Sequence, residues 1–273
     1  MDKTLYLNEN KDIRVVRDGP SLWVCEDGKA GRRIPARIIS RVVIIGNFVL
    51  EAGVITLFTE NDIPVTFFNK RGNEMAVAIP YNHNNFRHNK WQKLFLINEE
   101  NIIRFKNWAI SKKRELQLNT IRRFSKRIAE LYTREGFKDK DYQKIINRNK
   151  KTEKECWEIV YNMINGLFRE MVIACLISAN LDPHIGIFYR RANFGLALDI
   201  CHILIPENDI QTIQFFNTKT WKENIIQKGN NWYLTKEGIR DIIIRFENRK
   251  KYMQEMVERF IDDIFEIMRE LRK

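Results

Sequence analysis

The residues of this chain that could do chemistry are clustered cations and a polar segment between residues 180 and 206. The clusters are Lys112, Lys113 and Arg114; Arg122, Arg123, Lys126 and Arg127; Lys144, Arg148, Lys150 and Lys151; and the adjacent Arg190 and Arg191. In the second cluster, positions 122/126 and 123/127 stand four apart. On one continuous helix their like charges crowd, at a cost of roughly a few tenths of a kcal/mol per pair. A phosphate backbone relieves that repulsion, and the counterions it releases make binding fall steeply with salt. One such cluster reads equally well as a solvated helix face; four in one half of the chain favour an anionic partner.

The polar segment runs Asn180-Leu-Asp-Pro-His-Ile-Gly-Ile-Phe-Tyr189, continues as Gly195-Leu-Ala-Leu-Asp-Ile-Cys-His202 and ends at Pro206. Taken alone, Asp182-Pro183 is a turn or helix start after an apolar helix from Met171 to Leu181. Gly186 permits a tight bend, and Leu196 to Ile205 is a second helix, giving a helical hairpin with a basic tip. A hydrolase triad, a phosphate-cradling glycine loop and a paired-cysteine metal motif are not recognisable in the sequence. Cys25, Cys156, Cys175 and Cys201 lack CxxC spacing and have mostly apolar neighbours, the pattern of small buried hydrophobes.

Positioning these residues requires a core, and 273 residues with 44% hydrophobic and 30% charged side chains are the composition of a globular protein, not of a disordered one. The surplus of 47 Lys and Arg over 35 Asp and Glu, a formal charge of +12, ranks nucleic acid first among anionic partners and a membrane surface second. No apolar run approaches the roughly 18 residues of a spanning helix, and the first residues lack a signal-peptide stretch. A cytoplasmic protein with no membrane partner is expected.

The fold class expected is α+β in two domains. Residues 1–80 form a small β-rich domain, 81–90 a linker, and 91–273 a larger all-helical domain. In the front part, Thr4 to Leu7, Ile13 to Arg17 and Leu22 to Cys25 are β-type runs, with a tight turn at Asp27-Gly28, and read as one antiparallel sheet. A unit of strand (Arg41 to Ile45), helix (Leu50 to Phe58) and strand (Val65 to Phe68) packs on it. From Trp91 onward apolar residues recur at helical spacing, and final helices run from Lys236.

The sequence resembles the CRISPR-associated spacer-acquisition integrase family. That family carries Gly-Leu-Asp-Pro, then Gly-Phe-Leu-His, then Leu-Ala-Leu-Asp with an acidic residue at i+3, then Arg-Pro. Leu181, Asp182, Pro183, Gly186, Leu196, Ala197, Leu198, Asp199 and Pro206 match. So do Leu5-Tyr6-Leu7, Ile34-Pro35, Val42 to Gly46, Asp62 to Phe68 and Trp232 to Gly238, in order over nearly the whole chain. The resemblance implies a metal-dependent DNA endonuclease and integrase that uses Mg²⁺ or Mn²⁺, held by Glu, His and an acidic residue. It implies a homodimer joined through the β-rich domain, and bridging by the small second CRISPR adaptation protein.

Carried onto this chain, the ligand positions are Glu135, Tyr189 and His202. Glu135, Gly136 and Tyr142 fit the family's Glu-Gly-x-Ala-Ala-x-x-Tyr spacing, with Lys138 and Asp139 in place of the small pair. Tyr189 replaces the histidine, His202 replaces the acid, and Ile205 replaces the arginine before proline. A neutral phenol is a poor Mg²⁺ ligand, and imidazole suits softer ions.

The first reading is therefore an impaired integrase homologue that binds duplex, branched or prespacer DNA as a dimer, alone or beside an active paralogue. Its DNA contacts are Arg122, Arg123, Lys126, Arg127, Lys144, Arg148, Arg190 and Arg191. The second reading is a working metal enzyme with a rearranged site of Glu135, Asp199 and His202. In it Asp199 is a ligand; otherwise Asp199 pairs with a cation such as Arg190. A third is an assembly protein whose charge serves solubility alone.

Overall fold

The structure, a computed structural model, describes residues 3–9, 13–80, 86–229 and 231–269. Strand β5 (Ile39–Ile45) carries the β-branched run of the front part, and its period-two alternation divides it between two cores. Val42 and Ile44 join Leu7, Val15, Leu22, Val54, Leu57 and Phe58 in one cluster, whereas Val43 and Ile45 face the helices. A strand buried on both faces needs an apolar residue at every position, and Arg41 is the charged exception.

Strand β1 (Lys3–Asn8) pairs parallel with β5, and β6 (Val65–Phe68) pairs parallel with its other edge. β7 (Glu74–Ala78) then closes the sheet β1-β5-β6-β7 antiparallel to β6. Helix α1 (Ala52–Glu60) makes the crossover between β5 and β6. A separate antiparallel sheet contains β2 (Ile13–Asp18), β3 (Ser21–Glu26) and β4 (Arg32–Pro35). The sequence placed the run Thr4 to Leu7 with β2 and β3. The chain instead sends it across to β5, where Leu5, Tyr6 and Leu7 pair with Val42, Val43 and Ile44 and pack on the two cores.

The rear part comprises α2 (Asn89–Phe95), α3 (Glu99–Phe124), α4 (Lys126–Glu135), α5 (Asp139–Asn149), α6 (Lys154–Ser178), α7 (Gly195–Ile203), α8 (Ile205–Phe216) and α9 (Lys236–Arg269). It is not wholly helical: β8 (Ile225–Lys228) and β9 (Asn231–Leu234) form a hairpin before α9. Of the expected linker at 81–90, residues 81–85 lie outside the described residues, and α2 has begun by Asn89. The final segment is one helix of 34 residues rather than several.

Helix α6 is central, packing against α7, α8, α9 and β9. Contrary to the sequence expectation, it is long and apolar enough to cross a membrane, but 67% of its most apolar window is buried in the fold, the state of a core helix. Its Gly166 lies so close to the Phe68 ring that a Cβ would overlap it, which lets sheet and helix share one core. Val43, Ile45 and Phe68 of the front part thus share a core with the helices.

Arg41 crosses the same boundary, with only 2% of its surface exposed. Its Nε donates to Thr4 Oγ1 at 2.8 Å, and Nη2 lies 3.3 Å from Glu247 Oε1 on α9. Nη1 sits 3.0 Å from Glu170 Oε2 on α6, as an ion pair without hydrogen-bond geometry. Burial, against the pull of Arg41, pushes the Glu170 carboxyl up to about 7, and burial likewise raises Glu74, paired with Arg169, to about 7.

Arg41→Met strands the Glu170 carboxylate and is expected to destabilise the fold by roughly 3 kcal/mol in urea unfolding, whereas Arg41→Met with Glu170→Met recovers most of the loss. No recovery in the double variant would show that Arg41 acts through packing alone. Carboxyls that hold protons higher in the folded chain than in the unfolded one stabilise at low pH and lose that stabilisation as pH rises through about 7. The urea midpoint should therefore decline between about pH 5 and about pH 8, and Glu170→Gln should make that decline shallower.

Candidate functional site

The segment between α6 and α7 is irregular, yet each of its turns is tied to a helix. Asp182 donates its backbone N–H to Gln92 Oε1 at 2.8 Å and accepts from Gln92 Nε2 at 2.9 Å through its carbonyl. Its carboxylate accepts from Asn89 Nδ2 and from the His184 backbone N–H. The Pro183 carbonyl accepts from Leu196 and Ala197, two of the orphan donors that open α7. Gly186 and Gly195 cross backbone to backbone where any Cβ would collide, which explains the glycine at both positions.

Asp199, in the second turn of α7, holds the segment from below. Its Oδ2 accepts from the Ile187 N–H at 2.5 Å, and Oδ1 accepts from the Phe188 and Tyr189 N–H groups at 3.1 Å each. Burial pushes this carboxyl up to about 6, against the downward pull of those three donors. Asp199 makes no ion pair with Arg190 among the described residues. Its acceptors are taken by the loop, because three adjacent N–H groups in an irregular turn have no other buried partner.

One turn on, half-buried His202 presents Nε2 3.2 Å from the Lys113 Nζ of α3. Burial first, and the Lys113 charge second, hold the imidazole below its ordinary value; an ammonium has only donors, so Nε2 can bond it only as an acceptor. On the other side Asp139, the first residue of α5, lies 3.7 Å from the same Nζ through Oδ2. Gln117, one turn after Lys113, donates to Asp139 Oδ1 at 2.8 Å. The rings of Phe188 and Tyr189 stand 5.9 and 6.3 Å from His202, both rings partly exposed.

Glu135 ends α4 on the surface, with Gly136 at φ +76° turning the chain away. Tyr142, its companion in the matched spacing, is fully buried and donates its hydroxyl to Asp209 Oδ2 of α8 at 2.8 Å. Among the described residues no group of three His, Cys, Asp or Glu side chains is placed to hold a metal ion. A carboxylate, a phenol and an imidazole at positions 135, 189 and 202 make a poor donor set for Mg²⁺ on their chemistry. Lys113, Gln117, Asp139 and Asp209 were not singled out for this pocket by spacing. Lys113 and Gln117, a single turn apart on α3, were the one local signal.

The cationic surface divides. Lys112 pairs with Asp263 of α9, Lys144 with Asp141, and Arg123 with buried Glu207, which also takes Arg249. Lys150 lies over the Trp157 ring. Lys126, Arg127, Arg148, Arg190 and Arg191 are exposed and have no ion-pair partner among the described residues; Arg122 reaches Asn119. The crowding expected from one continuous helix does not arise, because α3 stops at Phe124 and Ser125 caps α4, its Oγ accepting from the Ile128 N–H. Lys126 and Arg127 instead occupy the first turn of α4, where no acidic residue answers the positive end of the helix dipole.

A sequence model of the family described as CRISPR associated protein Cas1 matches residues 5–159 and 141–248. A CRISPR-associated endonuclease Cas1 from Thermotoga maritima is 23% identical over 215 residues, 67% of each chain. In fold the chain is similar to a CAS1 protein from Thermotoga maritima (TM-score 0.76, 17% identity, 97% of each chain). It is also similar to a casposase bound to integration product (TM-score 0.68, 19% identity, 90% of this chain and 82% of the other).

Asp199→Asn keeps the shape but turns one acceptor into a donor facing N–H groups. A loss of about 2 kcal/mol is expected, with faster amide exchange at Ile187, Phe188 and Tyr189 than elsewhere in the bundle. Unchanged exchange at those three amides would show that the carboxylate does not hold the loop.

Proposed function

We propose, from the premise that this chain belongs to the CRISPR-associated Cas1 family, that it is a CRISPR adaptation protein. In this reading it binds DNA as a homodimer, and its metal-dependent cutting and joining of strands is impaired. The small second adaptation protein is its bridging partner. The observation that carries the reading is the cation surplus at the opening turn of α4. Lys126 and Arg127 add their charge to the positive end of the α4 dipole, an arrangement that favours phosphate over any neutral ligand. Arg190 and Arg191, on the segment leading into α7, present further charge, and α3 packs against both α4 and α7.

Impairment is supported by the side chains at the ligand positions. Tyr189 is a phenol, His202 faces an ammonium, Asp199 accepts from its own loop, and Glu135 is exposed. Backbone contacts of the kind these cations make position a duplex without reading its sequence, so little base preference follows.

The test is binding, cleavage and strand transfer on a fluorescent branched DNA with Mg²⁺ or Mn²⁺, comparing wild type, Glu135→Ala and a variant with both Lys126 and Arg127 changed to Glu. Salt-sensitive binding without turnover is expected. The charge-reversed variant should bind at least about tenfold more weakly, with a salt slope shallower by about 2. Turnover in the wild type that Glu135→Ala abolishes would overturn the impaired reading, and binding indifferent to salt would overturn the DNA interface.

A further inference from the structure

The pocket between α3, α5 and α7 contains a cation of its own. Lys113 Nζ lies between two groups that would otherwise be metal donors, His202 Nε2 at 3.2 Å and Asp139 Oδ2 at 3.7 Å. The Lys113 side chain is only 13% exposed, and Gln117 fixes the Asp139 carboxylate from the same face of α3. A metal bonded to an imidazole sits roughly 2.0–2.1 Å from the nitrogen. On the pocket side of His202 that place overlaps the ammonium, and a dication there meets a fixed positive charge in a partly buried site.

We propose that Lys113 is the permanent cation of this pocket, that it excludes a divalent ion, and that it lets the pocket take a phosphodiester without metal. The ammonium carries three donors. One goes to His202, the Asp139 contact is an ion pair longer than a hydrogen bond, and donor capacity remains for an incoming phosphate oxygen. The partly exposed Phe188 and Tyr189 stand beside His202, on the side where a nucleotide would enter. Only the identity of the anion rests on the DNA-binding reading above; the exclusion of metal does not.

The experiment titrates Mn²⁺ alone, by electron paramagnetic resonance, into wild type, Lys113→Glu, Lys113→Gln, and Lys113→Glu with His202→Ala. It also measures DNA affinity with chelator and with Mg²⁺. Wild type is expected to show no stoichiometric Mn²⁺ site and the same DNA affinity, within about twofold, in either buffer. Lys113→Glu supplies an oxygen ligand beside Asp139 and His202 and should gain one Mn²⁺ site, removed again by His202→Ala. Lys113→Gln should weaken DNA binding by about tenfold or less, with the fold intact by circular dichroism.

A stoichiometric Mn²⁺ site in the wild type that disappears in His202→Ala would overturn the proposal whatever the Lys113 variants do. A folded Lys113→Glu with no gain in Mn²⁺ affinity would overturn it equally. If Lys113→Glu does not fold, wild type against His202→Ala remains decisive. Absence of DNA binding with the Mn²⁺ results as expected would refute the DNA reading and leave Lys113 as the cation that excludes metal.

Discussion

Arg41 carries a full charge in the interior, on a strand whose other residues from Val42 to Ile45 are buried hydrophobes. A guanidinium in that setting is tolerated only when its donors are answered. The answers come from β1 through Thr4, from α6 through Glu170 and from α9 through Glu247. Tyr6 donates to the same Glu247 oxygen at 2.7 Å, and Phe246 lies beneath the guanidinium. Sheet and bundle are therefore locked at one orientation. A shift of either would leave charged groups buried without partners, a penalty of several kcal/mol that apolar packing alone does not impose.

From that fixed boundary the geometry of the site follows outward along α6. The helix ends at Ser178, and the segment beyond it cannot pack as regular structure, so its backbone donors need partners. Asp199 supplies three acceptor positions and the Pro183 carbonyl caps α7, which together set the direction in which His202 leaves the helix. Asp199 thus ties three backbone N–H groups of that segment to α7.

The charges are sorted the same way. Cations that face a helix neighbour are neutralised by Asp263 or Glu207, whereas those on the opening turn of α4 and on the loop before α7 are left to the solvent side. Neutralised cations contribute to holding the bundle, and the remaining ones are available to a polyanion. Lys113 stands between the groups: its 3.7 Å contact with the exposed Asp139 carboxylate is longer than a hydrogen bond and only partly offsets its charge.

The sequence by itself determined the local elements. The β-branched runs gave β2, β3, β5 and β6 nearly to the residue, since period-two burial is written in side-chain type. The family was legible in Leu181-Asp182-Pro183, Gly186 and Leu196 to Asp199, and those residues prove to be the ones that tie the segment before α7. The partner of β1, the break at Ser125 and the single length of α9 were decided by tertiary structure, through burial and capping that one-dimensional spacing does not encode. So was the character of the site. Lys113 is 89 residues from His202 in the chain, and only the packing of α3 on α7 puts an ammonium beside that imidazole. Spacing names which side chains could be ligands, but the sum of the charges around them is a property of the folded interior.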